Sequence, residues 1–164
     1  MTDYAAFLDR KSQLGAMSGF EPLWMPGFLF DFQQALVDWA VQKGRAAIFA
    51  DCGLGKTPMQ LVWAQNVVEK TNGRVLLLTP LAVGGQTMIE AEKFGIECRR
   101  SGDGVVKSKI TTTNYERLHY FNPDDFIGVV CDESGILKHF GGVTQKYVTR
   151  FLSKIPYRLL GTAT

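Results

Sequence analysis

Only two histidines and three cysteines occur in the 164 residues, and none stands where a metal would need it. Cys52, Cys98 and Cys131 form no CxxC pair and have no histidine at zinc-ligand spacing. Neither a zinc site nor a disulfide framework is expected, and a reducing, intracellular setting fits best. His119 and His139 are isolated and read as surface or satisfied side chains. No apolar stretch reaches the ~18 residues a membrane span requires. The opening Met1-Thr2-Asp3-Tyr4 is not a basic segment leading into an apolar core, so neither secretion nor membrane insertion is expected. Charge of one sign is also scarce: 18 Lys and Arg face 16 Asp and Glu, a net +2, too little to argue nucleic-acid binding from bulk electrostatics. Internal repeats and low-complexity segments are absent.

What is present is an ordinary globular composition, 46% hydrophobic and 21% charged, in a chain long enough to bury roughly 70% of its unfolded surface around one core. Gly15, Gly19, Pro22, Pro26 and Gly27 break any helical pattern in residues 1–28, which read as an arm ahead of a domain spanning 29–164. From Asp31, read as an N-cap, the spacing of Ala35, Leu36, Trp39 and Ala40 predicts an amphipathic helix ending at Gly44. Trp24, Trp39 and Trp63 are expected in core or arm packing. Four short apolar runs follow, Ala46 to Ala50, Val75 to Leu78, Ile127 to Cys131 and Tyr157 to Leu160, with Ile110 to Thr113 as a further candidate strand. Helical patterns at Met59 to Val68, Gln86 to Phe94 and Thr144 to Leu152 alternate with them. The alternation predicts an α/β fold, a parallel sheet with helices on both faces and ligands at the carboxyl ends of its strands.

The most specific motif is Ala50-Asp51-Cys52-Gly53-Leu54-Gly55-Lys56-Thr57, directly after the first strand and directly before a helix. Gly53 and Gly55 permit backbone conformations in which consecutive N–H groups, that of Leu54 among them, curl around phosphate oxygens at a helix N-terminus. Lys56 is the expected contact to the β and γ phosphates and Thr57 the expected Mg²⁺ ligand. Pro58 suits a first helical turn, where its missing N–H costs little.

The run Val129-Val130-Cys131 delivers two adjacent carboxylates, Asp132 and Glu133, to the same sheet edge. Asp132 is the candidate Mg²⁺ ligand and Glu133 the candidate acceptor of a proton from the attacking water. A third element, Gly161-Thr162-Ala163-Thr164, ends the last strand. Hydroxyls of Thr162 and Thr164 near the acid pair are suited to coupling the state of the γ phosphate to a neighbouring surface.

The phosphate loop, Asp132-Glu133-Ser134 and Thr162-Ala163-Thr164, in this order and spacing, resemble the first motor domain of superfamily-2 helicases and translocases, a P-loop NTPase with a RecA-like sheet. The likeness covers roughly residues 29–164. Ala50 at the first loop position is a usual form in helicases. Asp132-Glu133-Ser134 with Ile136-Leu137-Lys138 looks closest to the Snf-like group and to phage- and prophage-type helicases. The resemblance implies that Gln33, in Leu29-Phe30-Asp31-Phe32-Gln33, reads adenine. It implies that Pro80 and Gln86, after the second strand, and Thr113 and Asn114 contact a nucleic-acid backbone. It also implies ATP and Mg²⁺ as cofactors, nucleic acid as partner with DNA ahead of RNA, and cytoplasmic action, phage-encoded chains in a bacterial host included.

The resemblance further implies a second RecA-like domain that would supply arginine fingers and that this sequence does not contain, so the chain is expected to be a fragment, nearly inactive alone. The rival expectation is a RecA-like module that binds nucleotide or nucleic acid without turnover. A P-loop kinase or transporter subunit is the third, and it leaves Gln33 and Thr162-Ala163-Thr164 unexplained. Lys107 and Lys109 beside Arg99 and Arg100 form a modest basic cluster, a solvated face unless nucleic acid crosses it.

Overall fold

The computed structural model describes residues 17–50 and 55–163. Helix α1 (Asp31–Lys43) leads into β1 (Arg45–Phe49), followed by α2 (Lys56–Thr71), β2 (Val75–Thr79), α3 (Gly84–Lys93), β3 (Cys98–Arg100) and β4 (Ile110–Asn114). The chain then passes through short 3-10 turns to β5 (Gly128–Cys131), α4 (Gly142–Ser153) and β6 (Tyr157–Thr162). The six strands form one sheet in the order β1-β6-β5-β2-β4-β3, and every neighbouring pair is parallel. This is the α/β architecture the alternation predicts.

Parallel sheets carry helices on both faces, so their central strands are apolar throughout. β2 (Val-Leu-Leu-Leu-Thr) and β5 (Gly-Val-Val-Cys) are buried at every position. Two cores result, one per face. Val75 and Leu77 belong to the core containing Trp63, Met59 and Leu61 from α2, while Leu76 and Leu78 belong to that containing Val148 and Phe151 from α4. The alternation along β2 is the strand period of two.

Several boundaries differ from the sequence expectation, each for a physical reason. α2 begins at Lys56, three residues before the apolar pattern, because the phosphate loop feeds straight into its first turn. α3 begins on Gly84 and Gly85, which have low helix propensity and hide the start. β6 extends through Gly161 and Thr162, paired with Ile48 and Phe49. β3 has no counterpart among the expected strands: it is three residues long and only Cys98 is buried. In α1 the buried positions are Gln33, Val37, Ala40 and Val41, so the inward face is turned from the expected one, and Trp39 is 41% exposed. Asp31 is the first helical residue, not the cap; the carboxamide of Gln33 reaches back and accepts from Phe30 N–H at 2.9 Å. Gly44, at φ 76°, ends the helix as expected.

Residues 17–28 are irregular but docked. Phe20, Trp24 and Met25 pack on the core, and Gly19 N–H donates to Gln42 O at 2.9 Å. The pin is Asn66, fully buried on α2. Its Oδ1 accepts from the N–H groups of Leu23 and Trp24 at 2.8 and 3.0 Å, and its Nδ2 donates to Trp24 O at 2.8 Å. Removing it orphans three main-chain groups. Asn66→Ala should therefore lower stability by about 2–4 kcal/mol, at ~1–3 kcal/mol per buried group left unsatisfied. Urea unfolding checks this, with limited proteolysis near residue 24 reporting release of the segment.

Candidate functional site

The strand order decides which loops meet. β6 lies between β1 and β5, so the end of β6 falls between the phosphate loop and the acid pair, although these segments are far apart in sequence. Ala50 N–H donates to Thr162 O at 3.1 Å, extending the β1–β6 ladder to the loop's first residue.

Of the loop, Asp51, Cys52, Gly53 and Leu54 lie outside the described residues. Gly55 is left-handed, φ 73° and ψ 48°, and caps α2. A β-carbon there would collide with the side-chain amide of Gln33, so glycine is required both by backbone and by contact. Gln33, 5% exposed, is thus the glutamine that meets the loop; its neighbour Gln34 instead donates to Leu29 O at 2.9 Å. Lys56 and Thr57 open α2, where free amides and the helix dipole favour an anion.

Lys56 Nζ lies 3.2 Å from Glu133 Oε2. The other oxygen, Oε1, accepts from Ala163 N–H at 3.1 Å and from Thr162 Oγ1 at 3.3 Å. One carboxylate therefore joins the phosphate-loop lysine to the end of β6. The Ala163 N–H, with Lys56 and Thr162, holds its pKa below the ordinary glutamate value against a smaller opposing effect of burial. Asp132 faces the other way: it is 6% exposed, and burial raises its pKa, opposed by the Gln60 amide and by the charge of Lys56. Gln60 Nε2 donates to Asp132 Oδ1 at 3.0 Å. Gln60 also explains Gly161, where a β-carbon would meet the Gln60 amide.

Gln60 and Tyr115 are the residues that the motif reading missed. Gln60 stands four residues after Lys56, one turn along the same face of α2, and that helical period was the available signal. Tyr115 donates its hydroxyl to Asp132 O at 2.7 Å.

The expected nucleic-acid contacts separate. Thr113 and Asn114 line an open cavity of about 620 Å³ with Arg100, Lys107 and Arg117 among its other walls. Thr113 is 3% exposed, and its hydroxyl lacks a hydrogen-bond partner. Asn114 Oδ1 caps the following turn, accepting from Arg117 N–H at 3.0 Å. Pro80 and Gln86 are not in that lining, and exposed Gln86 donates to Glu90 at 3.3 Å. Arg117 adds a basic side chain that the sequence cluster at 99–109 did not include. Thr164 lies outside the described residues.

Among the described residues no group of three or more His, Cys, Asp or Glu side chains could hold a metal alone. Thr57 and Asp132 offer the hard oxygen donors of Mg²⁺, which commonly takes one or two protein ligands and completes its shell with water and phosphate. The residues fit that ion as a companion of a nucleotide.

No family model matches the chain, and no curated protein matches it. Solved structures do. The UvsW helicase from bacteriophage T4 superposes with a TM-score of 0.69 at 16% identity, over 96% of this chain and 59% of that one. A second T4 UvsW structure gives 0.69 at 13%, over 94% and 33%. A Sulfolobus solfataricus SWI2/SNF2 ATPase core in complex with dsDNA gives 0.69 at 19%, over 88% and 34%. The fold is that of the RecA-like domains of these proteins, and the chain spans between a third and three fifths of their length.

The opposite shifts of the two acids give a pH signature. Glu133, lowered in the fold, contributes stability that is present above the ordinary glutamate pKa and is lost as pH falls through its lowered value. Asp132, raised in the fold, has the opposite sign. In nucleotide-free protein without Mg²⁺, thermal melts between pH 7 and about pH 3 should show wild type losing more stability on acidification than Glu133→Gln. The difference should be small, since the Glu133 side chain is 38% exposed. Parallel curves for the two proteins would contradict the assignment.

Proposed function

We propose that the chain is the ATP-binding half-site of a nucleic-acid-dependent ATPase, a helicase or translocase, hydrolysing ATP with Mg²⁺ when a second RecA-like domain completes it. The observation that carries this reading is the convergence on Glu133 of Lys56, Thr162 and Ala163, with Gln33 against Gly55 at the other end of the loop. A kinase or transporter reading assigns no role to those last contacts.

In the proposed reaction the amides at the start of α2 receive the phosphates, and Lys56 exchanges Glu133 for the β and γ phosphate oxygens. Gln33 holds the adenine edge with a side chain already oriented by its bond to Phe30 N–H. Thr57 and Asp132 would hold Mg²⁺, which supplies charge neutralisation at the phosphates. Glu133, freed from Lys56 but still accepting from Ala163 and Thr162, takes the proton of the attacking water. Because Thr162 and Ala163 contact the proton acceptor directly, loss of the γ phosphate is felt at the end of β6, which suits Thr162 and Thr164 to coupling.

The nucleic-acid partner is proposed to lie over the β2 and β4 ends, at Pro80, Gln86, Thr113 and Asn114, with DNA favoured by the SWI2/SNF2 core whose structure contains dsDNA. Arg100, Lys107 and Arg117 at the cavity, which outnumber Asp103 and Glu116 in the same lining, supply positive charge for phosphate contacts. No helix among the described residues is long and apolar enough to cross a membrane, consistent with a cytoplasmic site of action.

ATP·Mg²⁺ should stabilise the folded chain by about 2.7 kcal/mol at a concentration about 100 times Kd. Lys56→Ala should abolish that stabilisation. Glu133→Gln should retain it while removing residual hydrolysis. Thermal shift and phosphate release test both, and identical ATP responses in wild type and Lys56→Ala would refute the nucleotide site.

A further inference from the structure

The ladder between β2 and β5 breaks off at the acid pair. With Leu78 opposite Cys131, Asp132 N–H donates to Leu78 O at 2.8 Å. The next rung of a parallel ladder would run from the N–H of residue 80 to the carbonyl of Asp132. Residue 80 is proline and has no N–H to give. A carbonyl buried at that point requires another donor.

The donor comes from beyond β2. Tyr115, the first residue after β4, places its hydroxyl 2.7 Å from Asp132 O. The order β5-β2-β4 puts one strand between them, a crossing of roughly 9–10 Å at ordinary strand spacing, within reach of a phenol and beyond a serine or threonine. The ring is 3% exposed and tilts against Phe140, centroids 5.9 Å apart. Burial pushes the phenol pKa well above its usual value, so the hydroxyl stays a donor.

The carbonyl it binds belongs to the peptide joining Asp132 to Glu133. Glu133 sits at φ 52°, ψ 50°, and among the described residues Asn72 is the only other non-glycine residue with positive φ. Left-handed backbone is disfavoured for glutamate, which lacks the local side-chain bonding that suits asparagine to it, and such a conformation persists where its surroundings over-determine it.

We infer that Tyr115 is a positioning residue: its hydroxyl replaces the rung that Pro80 cannot make, locks the Asp132–Glu133 peptide, and so holds Glu133 in the left-handed conformation that aims its carboxylate at Lys56, Thr162 and Ala163. The consequence for hydrolysis rests on the proposed role of Glu133; the conformational claim needs no nucleotide.

The test is the backbone conformation of Glu133 in the 164-residue chain, read by NMR from its amide–Hα coupling and its Cα and Cβ shifts. Wild type should show the positive-φ signature, with a slowly exchanging Tyr115 hydroxyl proton close to the Glu133 amide. Tyr115→Phe should lose the signature while the shifts of β1 and β6 stay in place. Adding Pro80→Ala to Tyr115→Phe restores an N–H at residue 80 and should bring the signature back, a rescue that general loss of packing would not give. Turnover of ATP should fall on the order of tenfold or more in Tyr115→Phe, towards the level of Glu133→Gln, with KM little changed. A left-handed Glu133 in Tyr115→Phe, or its absence from wild type, overturns the inference, and the wild-type measurement decides even if the variant does not fold. A chain that loses the signature in Tyr115→Phe yet binds no ATP would refute the proposed function and leave the inference standing.

Discussion

The site depends on where β6 is inserted. Had β6 paired at an edge, β1 and β5 would be neighbours, and no main-chain donor would stand between the phosphate loop and the acids. Placed between them, β6 carries its last residues to the sheet edge in register with both, Thr162 opposite Phe49 and Leu160 opposite Cys131. The Ala163 N–H is then one residue beyond the ladder and free of it, which makes it available to Glu133 Oε1. Gly161 is part of the same constraint, because only a residue without a side chain leaves room for the Gln60 amide that holds Asp132.

Two adjacent carboxylates at one strand end would repel if both pointed into the same space. Here the backbone reversal at Glu133 separates them. Asp132 turns towards the buried face of α2 and is met by a neutral amide, so burial dominates and its pKa rises. Glu133 turns towards β6 and the loop, where a main-chain N–H and a lysine favour its charged form. Pairs whose surroundings push their pKa values apart are how one site divides two roles between similar groups. Lys56 serves both acids as counter-charge, and a nucleotide that draws it away would remove the Coulombic relief of Asp132 and supply a cation to replace it. Ion pairing of Lys56 with an exposed carboxylate is worth only ~0–1 kcal/mol, so the exchange opposes binding weakly.

What the sequence revealed was local chemistry, and what it concealed was contact across the sheet. The loop from Ala50 to Thr57, the acids after Val129-Val130-Cys131 and the small residues after Leu160 each combine a strand pattern with an unusual neighbour, so each could be read in place. The helical pattern points Trp39 inward because apolar size dominates it, yet Val37 and Val41 face the core and Trp39 is partly exposed. β3 is hidden because it is only three residues long and two of them are exposed arginines. Gln33 could be recognised as a motif residue but not as a cap, since capping geometry depends on where the helix begins. Gln60 and Tyr115 resemble any polar helix residue and any aromatic turn residue until their partners are known.

The sheet divides at β2 into a half whose strand ends hold the acid pair and meet the loop after β1, formed by β1, β6 and β5, and a half, β4 and β3, beside the open cavity lined by Arg100, Lys107 and Arg117 together with Asp103 and Glu116. Leu76 and Leu78 of β2 join them by apolar packing, in one core with Tyr115 and Cys131, but at the end of β2 Pro80 cannot donate the next main-chain rung. Tyr115 crosses that gap from the residue next to Asn114, so the end of β4 and the acid pair share one hydrogen bond. Asn114 itself fixes the start of the turn that carries the phenol, through its bond to Arg117 N–H. In the proposed function, a backbone phosphate that drew on Asn114 or Arg117 would compete for the groups that orient Tyr115. Such a ligand shifts the acids only to the extent that it favours one arrangement of this turn over another. The geometry supplies the shared element through which the two halves of the sheet can bias each other, and the hydroxyl of Tyr115 is where that bias would reach Glu133.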